Sequence, residues 1–328
     1  MEIPRHKVGF AAISFVVGML LLFFAGGYLQ SNFGMIGLVL TELMILAIAL
    51  LSAVSSGLNL KETFRVRVSS GREWLASFLI YLSVFFGAAT ATYILTVLTP
   101  SIAETSSIIS GFVLSGGFVL ALIGVSILPG ICEEAWHRGY LLTSLGSIKS
   151  VASRVLIMGL AFGLFHMDTT RFLQTMILGF GLSFMRIKTD NLLIPVTFHC
   201  ANNLFSVAVT FLLALSSQSI GGDFSQTMAE SSPETAAIQQ SILLPLVCCT
   251  AALSILFLSL GLYNFKRVEI LKRAPGIFVP DEWAPPLQKP RMSNRTRTIL
   301  IVSICGGVAL LSCFACIILS VLSMQSLI

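Results

Sequence analysis

The chain has 328 residues, of which 55% are hydrophobic and only 11% charged, with a net charge of +5 and a mean hydropathy of +0.92. A soluble domain carries about 25% charged residues, so this composition excludes a large soluble domain and indicates an all-α, polytopic membrane protein. The positive balance sits on the flanks of apolar runs, which makes nucleic acid a poor partner and the lipid bilayer the expected one.

About nine apolar runs approach the ~20 residues that cross the hydrocarbon as helix. They are Val8 to Leu29, Phe33 to Val54, Leu75 to Leu98, Ile108 to Leu128, Val155 to His166, Phe172 to Met185, Leu192 to Leu215, Ile242 to Tyr263 and Ile299 to Leu322. The fifth and sixth are short and read as tilted or partly re-entrant. Of the 20 lysines and arginines, all but Arg171 fall on one side of this nine-span arrangement. Basic flanks collect in the cytoplasm, which predicts an amino terminus inside and a carboxyl terminus outside. The first run has a basic start, but it is long and no clear small-residue cleavage pattern follows, so it reads as a retained helix.

Glu42 stands mid-span in VLTELMIL, either as a buried hydrogen-bonded acid or as a functional one. Leu58 to Ser70 alternates basic and apolar residues and reads as an interfacial segment on anionic headgroups, or as a solvated loop. Ser217 to Gln240 suits a mobile external loop, and the Pro-rich stretch at about 264–297 an extended cytoplasmic linker. All seven cysteines lie in or beside apolar runs, as small buried hydrophobes do. No internal repeat, phosphate-binding glycine loop or zinc-finger spacing occurs.

Polar chemistry concentrates in three islands of the central third. Pro129 to Leu141, PGICEEAWHRGYL, contains Glu133, Glu134, His137 and Arg138; Phe162 to His166 follows; His199 to Asn203 is the last. Ionisable groups at the centre of a membrane helix cost roughly 2.5–3.5 kcal/mol each, so such a cluster is paired, hydrated or functional. On a helix Glu134 and Arg138 are i and i+4 and can pair, which leaves Glu133, rotated by about 100°, free. His199 and Asn203 are also i and i+4 and point into one cavity. Pro195, one turn earlier, is expected to kink that helix. With 1.5 Å per residue, antiparallel helices reversing near Gly146 to Lys149 would bring Glu133 and His166 roughly level, provided the helix bearing Glu133 continues past Pro129.

In these islands the sequence resembles the CPBP group of intramembrane endopeptidases, relatives of the type II CAAX prenyl endopeptidase. Its motifs EExxxR, FxxxH and HxxxN/D stand here in order as Glu133-Glu134 to Arg138, Phe162 to His166 and His199 to Asn203, with Gly139 after the arginine. The resemblance covers roughly Leu128 to Phe205. It implies catalytic core helices at 129–205, between N-terminal membrane helices at 1–128 and C-terminal ones at 206–328. It further implies that Glu133 and His166 bind and activate a water, that His199 and Asn203 stabilise the oxyanion, and that Glu134 and Arg138 support the site. His137 falls at a variable motif position and is read as non-catalytic. A carboxylate shielded from bulk water is an effective general base near neutral pH, and donors aimed at developing charge gain strength where water is scarce.

No cofactor is required by this scheme. The alternative is a zinc protease using Glu133, His166 and His199 as a His2Glu ligand set, although no HExxH is present. Other classes remain open: a transporter with intramembrane charges, or a non-proteolytic scaffold or immunity protein. The expected substrate is a membrane-associated protein or peptide, in a bacterial plasma membrane, with no indication of oligomeric state.

Overall fold

In the computed structural model, which describes residues 6–98, 101–219 and 233–273, no strand occurs among the described residues. Five helical stretches there are long and apolar enough to cross a membrane: Lys7–Ser55, Gly71–Thr96, Gly117–Ser147, Leu193–Ser216 and Leu246–Ile270. The expected ninth span, Ile299 to Leu322, and the linker beyond residue 273 lie outside the described residues. Two compact units partition the chain, Met1–Val68 with Ala91–Gln240 and Ser69–Thr90 with Ser241–Ile328.

The first unit holds all three polar islands. Helix α1 (His6–Leu21) passes through a π-helical segment, Leu22–Gly26, into α2 (Gly27–Ser55), which folds back on itself at Gly34 with φ 53°. The arms are antiparallel: Ser14 and Ser52 hydroxyls lie 2.7 Å apart, Gln30 donates to Thr41 at 3.4 Å, and the Lys7 ammonium donates to the Ser56 carbonyl. The first and second expected spans are therefore two arms of one hairpin inside the Lys7–Ser55 stretch. Phe10, Ile13, Val17 and Leu20 are exposed on its outer face, as suits contact with acyl chains.

A short α3 (Leu60–Thr63) is capped by Asn59, whose side chain accepts from the Glu62 amide at 3.2 Å. The basic residues after it serve the chain itself. Arg65 pairs with Asp190 at 2.8 Å, and the Arg67 guanidinium donates to the Thr189 carbonyl. Asn191 donates from its side chain to the Arg67 carbonyl at 2.8 Å, and the Leu192 amide donates to Arg65 at 2.8 Å. Cations at a helix carboxyl end satisfy its free carbonyls and oppose its dipole.

The fourth expected span, Ile108 to Leu128, is not one helix. After α4 (Gly71–Leu98), α5 (Ser101–Ser115) stops at a turn where Gly117 has φ 71°, a conformation that glycine adopts at no steric cost. The spanning helix α6 (Gly117–Ser147) begins there and carries the glutamate pair within it. It absorbs Pro129 because a π-helical segment, Leu122–Ile127, precedes the proline and relaxes the regular bonding pattern. Helix α6 thus continues past Pro129, as the depth argument requires. Arg138, read from sequence as a flanking cytoplasmic charge, is instead fully buried, which its pairing with Glu134 permits.

Helices α7 (Val151–Phe165, 15 residues) and α8 (Phe172–Thr189, 18 residues) form an antiparallel pair in which Phe162 meets Gly179 and Phe172 meets Gly163. At 1.5 Å per residue α7 falls short of the ~30 Å hydrocarbon, consistent with the short fifth run. The last helix of this unit's core, α9 (Leu193–Ser219), starts only two residues before Pro195. The expected kink is absent because a proline in the first turn removes an amide that has no partner within the helix.

In the second unit, α4 opens on a capping box: the Ser70 amide donates to the Glu73 carboxylate at 2.8 Å, and the Glu73 amide to the Ser70 hydroxyl at 3.3 Å. It packs antiparallel to α10 (Pro233–Arg273), with Ser254 donating to the Ser83 carbonyl at 2.8 Å and Phe86 stacked on Phe257 at 5.8 Å.

Candidate active site

Helix α6 supplies two carboxylates with different fates. Glu134 is fully buried and its Oε1 accepts from Arg138 Nη1 at 2.7 Å and from His199 Nδ1 at 2.9 Å. Arg138 donates further to the Ser183 hydroxyl at 3.2 Å and the Gly179 carbonyl at 3.1 Å, and lies 4.3 Å over the Phe162 ring. A buried ion pair persists when its remaining donors are satisfied in this way. Glu133, one residue earlier, points elsewhere. Its Oε2 is buried without a hydrogen-bond partner and stands 4.0 Å from His199 Nε2.

Phe162 is the common wall. The rings of His166 and His199 approach it at 4.9 and 5.6 Å, and that of His137 at 5.0 Å, all edge to face. Tautomers follow from the partners. His166 Nδ1 donates to the Phe162 carbonyl at 2.8 Å and His137 Nδ1 to the Glu133 carbonyl at 2.9 Å. In each neutral ring Nε2 then carries a lone pair. That of His137 is buried and unpartnered, while His166 is only half-buried.

Asn203 lies one turn beyond His199 on α9. It donates from Nδ2 to the Val125 carbonyl at 3.0 Å, and its Oδ1 accepts from Asn202 at 3.3 Å, so one amide hydrogen remains for another acceptor. Ser126 likewise donates to the Cys200 carbonyl at 2.9 Å. The two helices approach closely at Gly130, where a Cβ would stand 3.0 Å from the Cys200 amide nitrogen. Gly130→Val should therefore cost about 1–3 kcal/mol, read as a lower melting temperature in detergent, whereas an unchanged melting curve would refute this close approach.

Each sequence-predicted site residue thus has a defined place. Glu133, Glu134 and Arg138 are on α6, His199 and Asn203 on α9, and His166 at the end of α7. Direct contacts join Glu134, Arg138 and His199, and the Phe162 ring joins His166 to them. Sequence reasoning missed the bond between His199 and Glu134 and the support from Ser183 and Gly179 on α8. It also left open Glu42, which is buried on α2 with its Oε2 lacking a hydrogen-bond partner. Among the described residues no three His, Cys, Asp or Glu side chains are grouped around one point, Glu133, His166 and His199 included.

Residues 115–205 match the family model Type II CAAX prenyl endopeptidase Rce1-like. The Rce1-like stretch runs from the end of α5 to the middle of α9 and contains all six site residues, whereas Glu42 lies outside it. The matched stretch covers less than a third of the chain, which is similar to that family there, and the apolar helices among the described residues are long enough to cross a membrane. No curated protein and no solved structure gives a significant match to the chain.

Proposed function

We propose that the chain is an intramembrane endopeptidase of the glutamate type, acting on a membrane-associated protein or peptide. The observation that carries this reading is the division of labour between adjacent carboxylates: both keep a buried Oε2 without a hydrogen bond, but Glu134 is held through its Oε1 by Arg138 and His199, while Glu133 Oε2 stands 4.0 Å from His199 Nε2. A water between Glu133 and the His166 Nε2 lone pair attacks the scissile carbonyl carbon and gives its proton to Glu133. The tetrahedral oxyanion is stabilised by the free Asn203 amide hydrogen and by His199, whose Nε2 donates when the ring is doubly protonated between the two glutamates. Glu133 then returns the proton to the amine as the C–N bond breaks.

This reading includes nine spans with the amino terminus inside, a site reached from the cytoplasmic face, and a bacterial plasma membrane. The decisive experiment compares peptide termini in the membrane proteomes of cells carrying wild type and Glu133→Gln. Termini present only with wild type support the reading. Identical sets in the two strains overturn it in favour of a scaffold, whose role survives that change.

Water activation by Glu133 and His166 uses no metal. Cleavage by the purified protein is expected to persist in EDTA, and complete loss restored by zinc would reverse this part of the proposal.

A further inference from the structure

His137, on α6, is 0% exposed and takes no part in the hydrolysis proposed above. Its ring is enclosed by aromatic side chains, with centroids 4.8 Å from Phe165, 5.0 Å from Phe162 and 5.2 Å from Trp136. Its Nε2 is buried with no hydrogen-bond partner among the described residues. Leucine or phenylalanine would fill such a chamber without stranding a lone pair, so packing alone does not account for an imidazole here. The compensating bond is made by the other nitrogen: Nδ1 donates to the Glu133 carbonyl at 2.9 Å.

That carbonyl stands at a change of helix type. Leu128–Glu134 is α-helical and Ala135–Leu141 π-helical, so bonds in the second segment span five residues instead of four and the turn widens. An α-helix advances 100° per residue and a wider turn less, so the point at which widening begins sets the directions of the side chains on either side of it. Glu134 is fixed independently, because its Oε1 accepts from Arg138 and His199. Glu133 lacks such an anchor: its Oε2 has no hydrogen bond and stands 4.0 Å from His199 Nε2. Its direction depends on its main chain, which His137 holds. The Phe162 ring that braces His137 is also the wall against which His166 and His199 rest.

We propose that His137 is a positioning residue for hydrolysis: braced by Phe162 and Phe165, its Nδ1–H pins the Glu133 carbonyl at the start of the widened turn and so keeps the Glu133 carboxylate aimed at the attacking water. This inference rests on the endopeptidase reading above. In this role His137 touches neither that water nor the substrate, and its Nδ1 hydrogen stays on the ring throughout.

Asparagine carries a donor, Nδ2, the same number of bonds from Cα as histidine Nδ1. The chain already uses asparagine for the same bond: Asn32 donates to the Tyr28 carbonyl at 2.8 Å and Asn264 to the Leu260 carbonyl at 2.9 Å, each four residues back. The glutamine donor lies one bond further out, and leucine has none. For the full chain in liposomes, kcat and KM are measured on a farnesylated CAAX peptide with a fluorophore and quencher across the scissile bond. Wild type, His137→Asn, His137→Gln and His137→Leu are compared, with Glu133→Gln as the blank and a thermal melt of each variant alongside. Misplacing a reacting group by an ångström costs about 10²-fold, so the glutamine and leucine variants should lose about 10–100-fold in kcat with KM within about twofold of wild type. His137→Asn should keep kcat within about threefold. The two amides differ only in reach, which decides the matter should leucine fold poorly. A glutamine variant as active as wild type, an asparagine variant as impaired as the glutamine one, or losses of kcat that follow melting temperature across the variants each overturns the assignment of His137. Wild type that leaves the peptide intact overturns the endopeptidase reading, and this inference with it.

Discussion

Glu133→Gln should lower kcat/KM for peptide hydrolysis by about 10²–10⁴-fold while the protein melts as wild type does. The amide keeps the shape of the side chain but cannot accept the proton of the attacking water. No fold-supporting bond is lost, because Glu133 Oε2 has no hydrogen-bond partner and only its main-chain carbonyl is used, by His137. Quenched-peptide hydrolysis with a parallel thermal melt checks both halves. Activity retained within threefold would remove Glu133 from the chemistry, whatever its position in the motif.

Arg138→Met has the opposite profile: the largest expected loss of stability, with activity following the fold. The substitution removes the 2.7 Å ion pair and the bonds to Ser183 and Gly179, and it leaves a fully buried Glu134 carboxylate with His199 alone. Breaking a buried pair by removing one partner costs about 3–5 kcal/mol, because the remaining charge is uncompensated. Neutralising both, as Arg138→Met with Glu134→Gln, should recover part of that loss. A single variant that melts with wild type, or a double variant less stable than the single one, would show that the pair does not hold α6 against α8.

The membrane class and the site helices were legible because they depend on composition and on i, i+4 spacing. Glu134 with Arg138 formed the pair that the spacing allows, and His199 and Asn203 follow one another on α9. Other features depend on long-range packing. Phe162 reads in sequence as one apolar residue among many, yet its ring touches groups on three helices. Hydropathy alone merged Ile108 to Leu128 into one run, because two adjacent glycines barely lower an average even when they turn the backbone. Proline at 195 was read as a kink because the start of its helix lies outside any periodicity signal. The burial of Glu42 has no local signature at all.

The wide turn at Leu122–Ile127 has a mechanical consequence. Its Val125 carbonyl is taken by Asn203, while Ser126 reaches the backbone of Cys200 and Gly130 lets the two helices touch. A slip of one helix past the other by a single residue would strand both cross-links in an apolar medium, so α6 and α9 are expected to move as one rigid body. On the endopeptidase reading, entry of a substrate would then come from displacement of some other wall, and spectroscopic labels on α6 and α9 should keep a constant separation throughout turnover.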